Sequence, residues 1–171
     1  MKSASPSDLQ LPRWWVLKAR PRCEKKIQLL LEGQGQSVFL PCRSSRREYS
    51  SKSVTFSLPL FPGYVFAQFS PLQKNAILAS TPSAGVIEVQ DQITFIRQIS
   101  ALQDLLQRTQ DVEVCPFIEA GKRVRITSGK FRGMEGIVAR YSRKKRLILS
   151  LDLLRQSVEV ELSAETVVLA A

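Results

Sequence analysis

Histidine, the side chain most used as a general base and as a zinc ligand, does not occur in this 171-residue chain. Cys23, Cys42 and Cys115 stand far apart with no C-x-x-C spacing, and the carboxylates are scattered rather than clustered for a metal. The sequence therefore reads as a non-enzyme, with no catalytic residue, no metal and no cofactor. Two groups of residues suit binding instead. Arg20, Arg22, Lys25 and Lys26 place four cations within a short run of a strongly basic chain, a balance that points to nucleic acid, although a solvated helix face reads the same way. The second group is "LFPGYVF" (60–66), where proline and glycine stand inside the most hydrophobic segment of the chain. Aromatic residues beside such a corner either wedge the core or, where one carries a polar tip, anchor an interface.

Charge supports a binding role. The formal net charge is +10 and the pI is near 10.0, a balance that points to nucleic acid or, less often, an anionic membrane face. Residues 13–52 carry ten Lys/Arg against Glu24, Glu32 and Glu48, so most of the excess lies in one quarter of the chain. No apolar run approaches the roughly 20 residues of a membrane-spanning helix. The start, "MKSASPSDLQLP" (1–12), has no apolar centre and reads as a disordered lead-in rather than a secretory signal. An odd number of cysteines without an export signal predicts free thiols in a reducing cytoplasm. The expectation is a cytoplasmic monomer with no membrane partner.

The elements that would position these residues follow from periodicity. "WWVLKAR" (14–20) reads as a strand ended by Pro21. From Arg22 onward, Ile27, Leu30 and Leu31 fall at helical spacing, with Gly33 and Gly35 as stops. "SVFLP" (37–41) is a short strand, and "CRSSRREYSSKS" (42–53) reads as a mobile loop or hairpin tip. A strand restarts after Gly63, with Tyr64, Phe66 and Gln68 on one face and Val65, Ala67 and Phe69 on the other. Ser70 and Pro71 open a helix, "GVIEV" is a strand, and Phe95, Ile99, Leu102 and Leu106 mark an amphipathic helix over 93–108. Residues 109–119 show no period and read as a linker. Beyond it, Val124 and Ile126, Ile137 and Val138, and the alternating leucines from 147 predict four or five short strands, which a small barrel closes. The stretch 147–154 fits a helical stripe as well, but Gly129, Gly133 and Gly136 disfavour helix by about 1 kcal/mol each.

Gly121, Val124, Gly129, Phe131, Gly133, Gly136 and Val138 have the spacing of a KOW motif: strand, tight glycine turn, strand, with the aromatic pinned inside. Together with "WWVLKARPR", "LFPGYVF" and "STP..GV" (80–86), this order of segments resembles the NusG family across about residues 13–168. The resemblance implies an α+β fold: an N-terminal α/β sandwich at 13–108, then a small all-β SH3-like KOW barrel at 120–171. It implies a transcription elongation or antitermination factor. Trp15, Phe61, Pro62, Gly63, Tyr64 and Phe66 would meet the clamp helices of the RNA polymerase β′ subunit, and Arg20, Arg22, Lys25 and Lys26 the non-template DNA strand. The barrel would take a second partner, with ribosomal protein S10 and termination factor Rho as the implied candidates. "KARPRCEKK" and "FLPCRSSRREYSSK" are most similar to the specialised RfaH and UpxY type, which acts on particular operons. Cys23, where UpxY-like sequences often have histidine, and the lack of a polar patch near Asn75-Ala76-Ile77 depart from that type. The RfaH resemblance also raises a C-terminal domain that switches between helical hairpin and barrel. A ribosome-associated KOW RNA-binding protein is the alternative, and it has no need of the Phe61–Tyr64 surface.

Overall fold

A four-stranded antiparallel sheet organises the first part of the chain. It comprises β1 (Arg13–Ala19), β2 (Ser37–Phe39), β5 (Tyr64–Phe69) and β6 (Ser83–Glu88), in the order β2-β5-β1-β6. The computed structural model describes residues 9–116, 123–141, 144–162 and 168–170. Gly121, most of the lead-in and residues 117–119 of the expected linker lie outside that set. The described residues form two compact units. One runs to Leu40 and resumes over Phe61–Gln92; the other holds Pro41–Leu60 and the residues from Ile93 on. The units thus interleave along the chain.

In the first unit, helix α1 (Glu24–Gly33) follows β1, and α2 (Lys74–Ser80) follows a 3-10 turn at Pro71–Gln73. Ser70 precedes that turn as expected, and its backbone N–H donates to Gln73 Oε1 at 3.1 Å. Central strands β1 and β5 bury Trp15, Val16, Leu17, Val65, Phe66, Ala67 and Phe69, and Ile27, Leu31 and Ile77 add the helices' share. The α1 stripe is narrower than its periodicity predicts, because Leu30 is exposed and Glu24 takes a buried place. Gln92 holds the start of β1 in both directions: Trp14 N–H donates to its Oε1 and its amide donates to Trp14 O, each at 2.9 Å.

In the second unit, residues 42–59 form a hairpin of β3 (Cys42–Tyr49) and β4 (Lys52–Pro59), the hairpin rather than the mobile loop of the two readings of 42–53. Serine and arginine mask a period-two pattern that the strand pairing makes plain. Helix α3 (Gln92–Arg108) buries Phe95, Ile99, Leu102 and Leu105; Leu106, expected in that stripe, is only half-buried. The remaining strands are β7 (Glu113–Pro116), β8 (Arg123–Ile126), β9 (Glu135–Tyr141), β10 (Lys144–Leu151), β11 (Gln156–Leu162) and β12 (Val168–Ala170). They make one six-stranded antiparallel sheet in the order β12-β8-β9-β10-β11-β7. Strand β7 lies in the stretch read as linker; four residues are too few to show a period, and pairing with β11 defines it. The ambiguous 147–154 stretch resolves as strand β10 followed by a 3-10 turn at Asp152–Leu154. The architecture is α+β, as expected.

Candidate functional site

Phe61, Pro62, Gly63 and Tyr64 form one tight turn. Tyr64 N–H donates to Phe61 O at 3.1 Å, and Gly63 sits at φ +87°. Proline second and a positive-φ glycine third are the signature of a type II turn. Nothing lies within 4 Å of where a Gly63 Cβ would stand, so backbone conformation alone requires glycine. The turn reverses the chain into β5 and leaves Pro62 exposed, with Gly63 and Tyr64 half-buried.

Arg20, Pro21, Arg22 and Cys23 repeat that design at the end of β1. Cys23 N–H donates to Arg20 O at 3.0 Å, and Arg22 adopts φ +62° without being glycine. A left-handed conformation costs a residue with a Cβ about 1–2 kcal/mol. Helix α1 starts directly after, so Arg20, Arg22, Lys25 and Lys26 are carried on a turn and the first turn of a helix. All four side chains are exposed.

Backbone and side-chain bonds tie the two turns together. Ala19 N–H donates to Gly63 O at 2.8 Å, and Gly63 N–H donates to the Glu24 carboxylate at 2.8 Å. Arg20 N–H donates to Pro82 O at 3.1 Å, which brings in the third sequence segment. Thr81, beside it, is fixed through its hydroxyl to Ile77 O at 2.7 Å. The three segments therefore meet at one end of the sheet, with an exposed proline, a half-buried tyrosine and four cations. Glu24 is the residue sequence reasoning missed. An acid at the first position of a helix is favoured by the helix dipole, but its partner lies 39 residues away. Glu24→Ala should strand the Gly63 N–H and lower stability by about 1–3 kcal/mol. Glu24→Gln, which keeps an acceptor, should lose less, and urea unfolding of the two variants reads both values.

Three residues expected at this surface are elsewhere. Trp15, Phe61 and Phe66 are each no more than 1% exposed, so they belong to the core rather than to a partner's footprint. The Phe61 and Phe66 rings meet edge-on at 6.3 Å, and Phe39 stacks on Phe66 at 6.1 Å. The reason is packing across the sheet faces: helix α1 lies on β5, Phe39 and Phe61 cover Phe66, and Phe69 with Arg13 and Lys74 covers Trp15. The accessible part of the segment is Pro62, Gly63 and Tyr64.

The glycine-rich motif of the second unit also divides by role. Gly129 (φ +76°) and Gly133 (φ +86°) supply turn geometry, with Gly133 N–H donating to Ile126 O at 2.8 Å. Gly136 lies within β9 instead, where a Cβ would stand 2.7 Å from Ile148 O. Phe131 and Val124 are buried, Val138 is half-buried, and Met134, not singled out from sequence, is buried beside the turn. A cleft of about 740 Å³ in this unit is lined by Arg97, Asp104, Arg123, Glu135, Asp152 and Arg155, among others. Those charges balance, so it offers no net field to an anion. Cys115, in β7, has its thiol pushed up to about 11 by burial and then by the Glu159 charge, so it is not a thiolate at neutral pH. Among the described residues no group of three or more His, Cys, Asp or Glu side chains could hold a metal ion.

A family model described as "Transcription termination factor nusG" matches residues 12–115, and one described as "KOW motif" matches residues 120–161. Among solved structures the chain is similar to a chain of the MjSpt4:Spt5 complex (crystal structure, conformation B). The identity there is 18%, covering 92% of this chain and 97% of that one, with a TM-score of 0.29.

Proposed function

Because this chain belongs to the NusG family of transcription factors, we propose that it is an elongation and antitermination factor that keeps RNA polymerase processive on particular operons. Pro62, Gly63 and Tyr64 receive the β′ clamp helices, and Arg20, Arg22, Lys25 and Lys26 hold the non-template DNA strand. Residues 13–108 carry these contacts, and residues 120–171 recruit a second partner, ribosomal protein S10 or Rho. The observation that supports this most is the bonded convergence of the two turns, which sets an apolar rim directly beside four exposed cations. Arg22 adds to it, since its left-handed backbone holds a charge at a conformational cost.

The mechanism follows from the chemistry of the two halves. An apolar rim with one hydroxyl-bearing aromatic buries well against helices and gives affinity that salt changes little. The cations bind phosphates by releasing counterions, so their share falls steeply with salt. The planar guanidiniums of Arg20 and Arg22 can also bond a base edge through a rigid fork and stack on the base, whereas a lysine ammonium can bond an edge but cannot stack. The two contacts together would clasp the clamp across the DNA channel without any bond being made or broken.

Binding of the full chain to a paused elongation complex tests this. Tyr64→Ala should weaken polymerase binding by about 1–3 kcal/mol, as for an interface anchor, with the protein still folded. The double variant Arg20→Gln/Lys26→Gln should flatten the slope of log K against log salt by about 1.4 and leave binding to the isolated clamp helices intact. A folded Tyr64→Ala protein with undiminished polymerase binding would sink the clamp assignment. Recovery of ribosomal RNA instead of polymerase from a pulldown would replace the whole reading with the ribosomal one.

A further inference from the structure

The hairpin β3–β4 is a ribbon of two eight-residue strands that pairs with no third strand among the described residues. Directly opposed residues in an antiparallel pair share a face, and neighbours along a strand alternate. The register Arg43↔Leu58, Ser45↔Phe56, Arg47↔Val54 and Tyr49↔Lys52 therefore places those eight residues on one face. Every exposed large hydrophobic of the ribbon is on it: Tyr49 at 55%, Val54 and Phe56 at 39%, and Leu58 at 37%. So are three of its four cations, Arg43, Arg47 and Lys52. The ribbon's one carboxylate, Glu48, is on the other face, 3.8 Å from Arg46. The first face is thus an exposed strip of aromatic and aliphatic groups interleaved with positive charge, and it holds no acid.

We propose that this face binds single-stranded nucleic acid, with bases stacked on Phe56 and Tyr49 and phosphates on Arg43, Arg47 and Lys52. The charge calls for a polyanion. Exposed rings beside the cations call for one that also presents flat π-faces, which a duplex hides within its stack and a single strand offers. Four residues of ribbon separate the two rings, about 14 Å along the strand, so each takes its own base. Arg47, whose guanidinium lies 6.0 Å from the centre of the Phe56 ring, is placed to cover a base stacked there or to bond its phosphate. This surface is distinct from the turn-borne cations of α1 and does not depend on polymerase binding.

The test uses the full chain without polymerase, with fluorescein-labelled dT12, rU12 and a 12-bp duplex followed by anisotropy. Phe56→Leu/Tyr49→Leu keeps apolar side chains on the ribbon and removes both π-faces. It should weaken binding of the single strands at least tenfold and change neither the salt slope nor duplex binding. Arg43→Gln/Arg47→Gln should instead flatten the single-strand slope by about 1.4. Tighter binding of rU12 identifies the transcript as the source, and tighter binding of dT12 an exposed DNA strand; either supports the proposal. The same loss for duplex as for single strand in the leucine variant would overturn it. So would wild-type affinity in that variant, or no binding of either oligonucleotide by the native chain. Arg20→Gln/Lys26→Gln, measured in parallel, should leave the leucine effect in place, which separates this surface from the α1 cations.

Discussion

Replacing Trp15 with alanine should destabilise the protein by about 3–5 kcal/mol, the range for emptying a large aromatic site in a core. Its ring stacks on Phe69 at 5.4 Å with 6° between the planes, and its indole N–H donates to Phe69 O at 2.9 Å. The Arg13 guanidinium lies 4.6 Å from the ring centre and the Lys74 ammonium 5.3 Å. Two cations and an aromatic neighbour thus cover a residue that from sequence alone was a candidate for the polymerase surface. Trp15→Phe keeps most of the buried area and loses the hydrogen bond, so its cost should be nearer 1–2 kcal/mol. Urea unfolding followed by circular dichroism reads both values. A Trp15→Ala protein as stable as wild type but deficient in polymerase binding would return the residue to the interface.

Gly136→Ala should be the most damaging alanine substitution among the motif glycines, at about 3 kcal/mol, the upper end of overpacking costs. Its Cβ would meet Ile148 O at 2.7 Å, Leu147 Cδ1 at 2.8 Å and Leu149 Cδ2 at 3.1 Å. The carbonyl cannot retreat, because β10 is held by β9 on one side and β11 on the other. Gly133 is constrained differently: its φ is +86° but nothing stands within 4 Å of its Cβ position. Asparagine tolerates the left-handed region, so Gly133→Asn should be milder than Gly133→Ala. At Gly136 the order should reverse, because there added volume is the whole difficulty. Thermal melts of the four variants give the comparison, and the same ranking at both sites would show that one constraint governs the whole motif.

Much of the architecture was legible because it is local. The aromatic and β-branched run at 14–20, the Ser70-Pro71 start and the apolar stripe of 93–108 each express a backbone preference or a period within a few turns of chain. The same holds for the glycine spacing at 129 and 133, where positive φ is a property of one residue and its neighbours. The cationic run from Arg20 to Lys26 was legible too, since charge needs no partner to be recognised. Alternation along β5 even separated its two faces correctly.

What alternation could not say is whether either face stays open. Packing across the sheet faces, by residues distant in sequence, turned Phe61, Phe66 and Trp15 from rim into core: Phe39 and Phe61 meet Phe66, and Phe69 and Lys74 meet Trp15. Register decided the hairpin: Val54, Phe56 and Leu58 alternate visibly, but only pairing with β3 puts Arg43 and Arg47 on their side and Glu48 on the other. Strand packing decided Gly136, whose sequence neighbours suggest a turn while Ile148 O and Leu147 exclude a side chain. The Glu24 bond to Gly63 spans 39 residues and has no signature at either end. Local sequence determines what each segment prefers to be. Which side chains are covered, which share a face and which backbone groups find a partner depends on contacts between distant segments, and those exist only once the chain has folded.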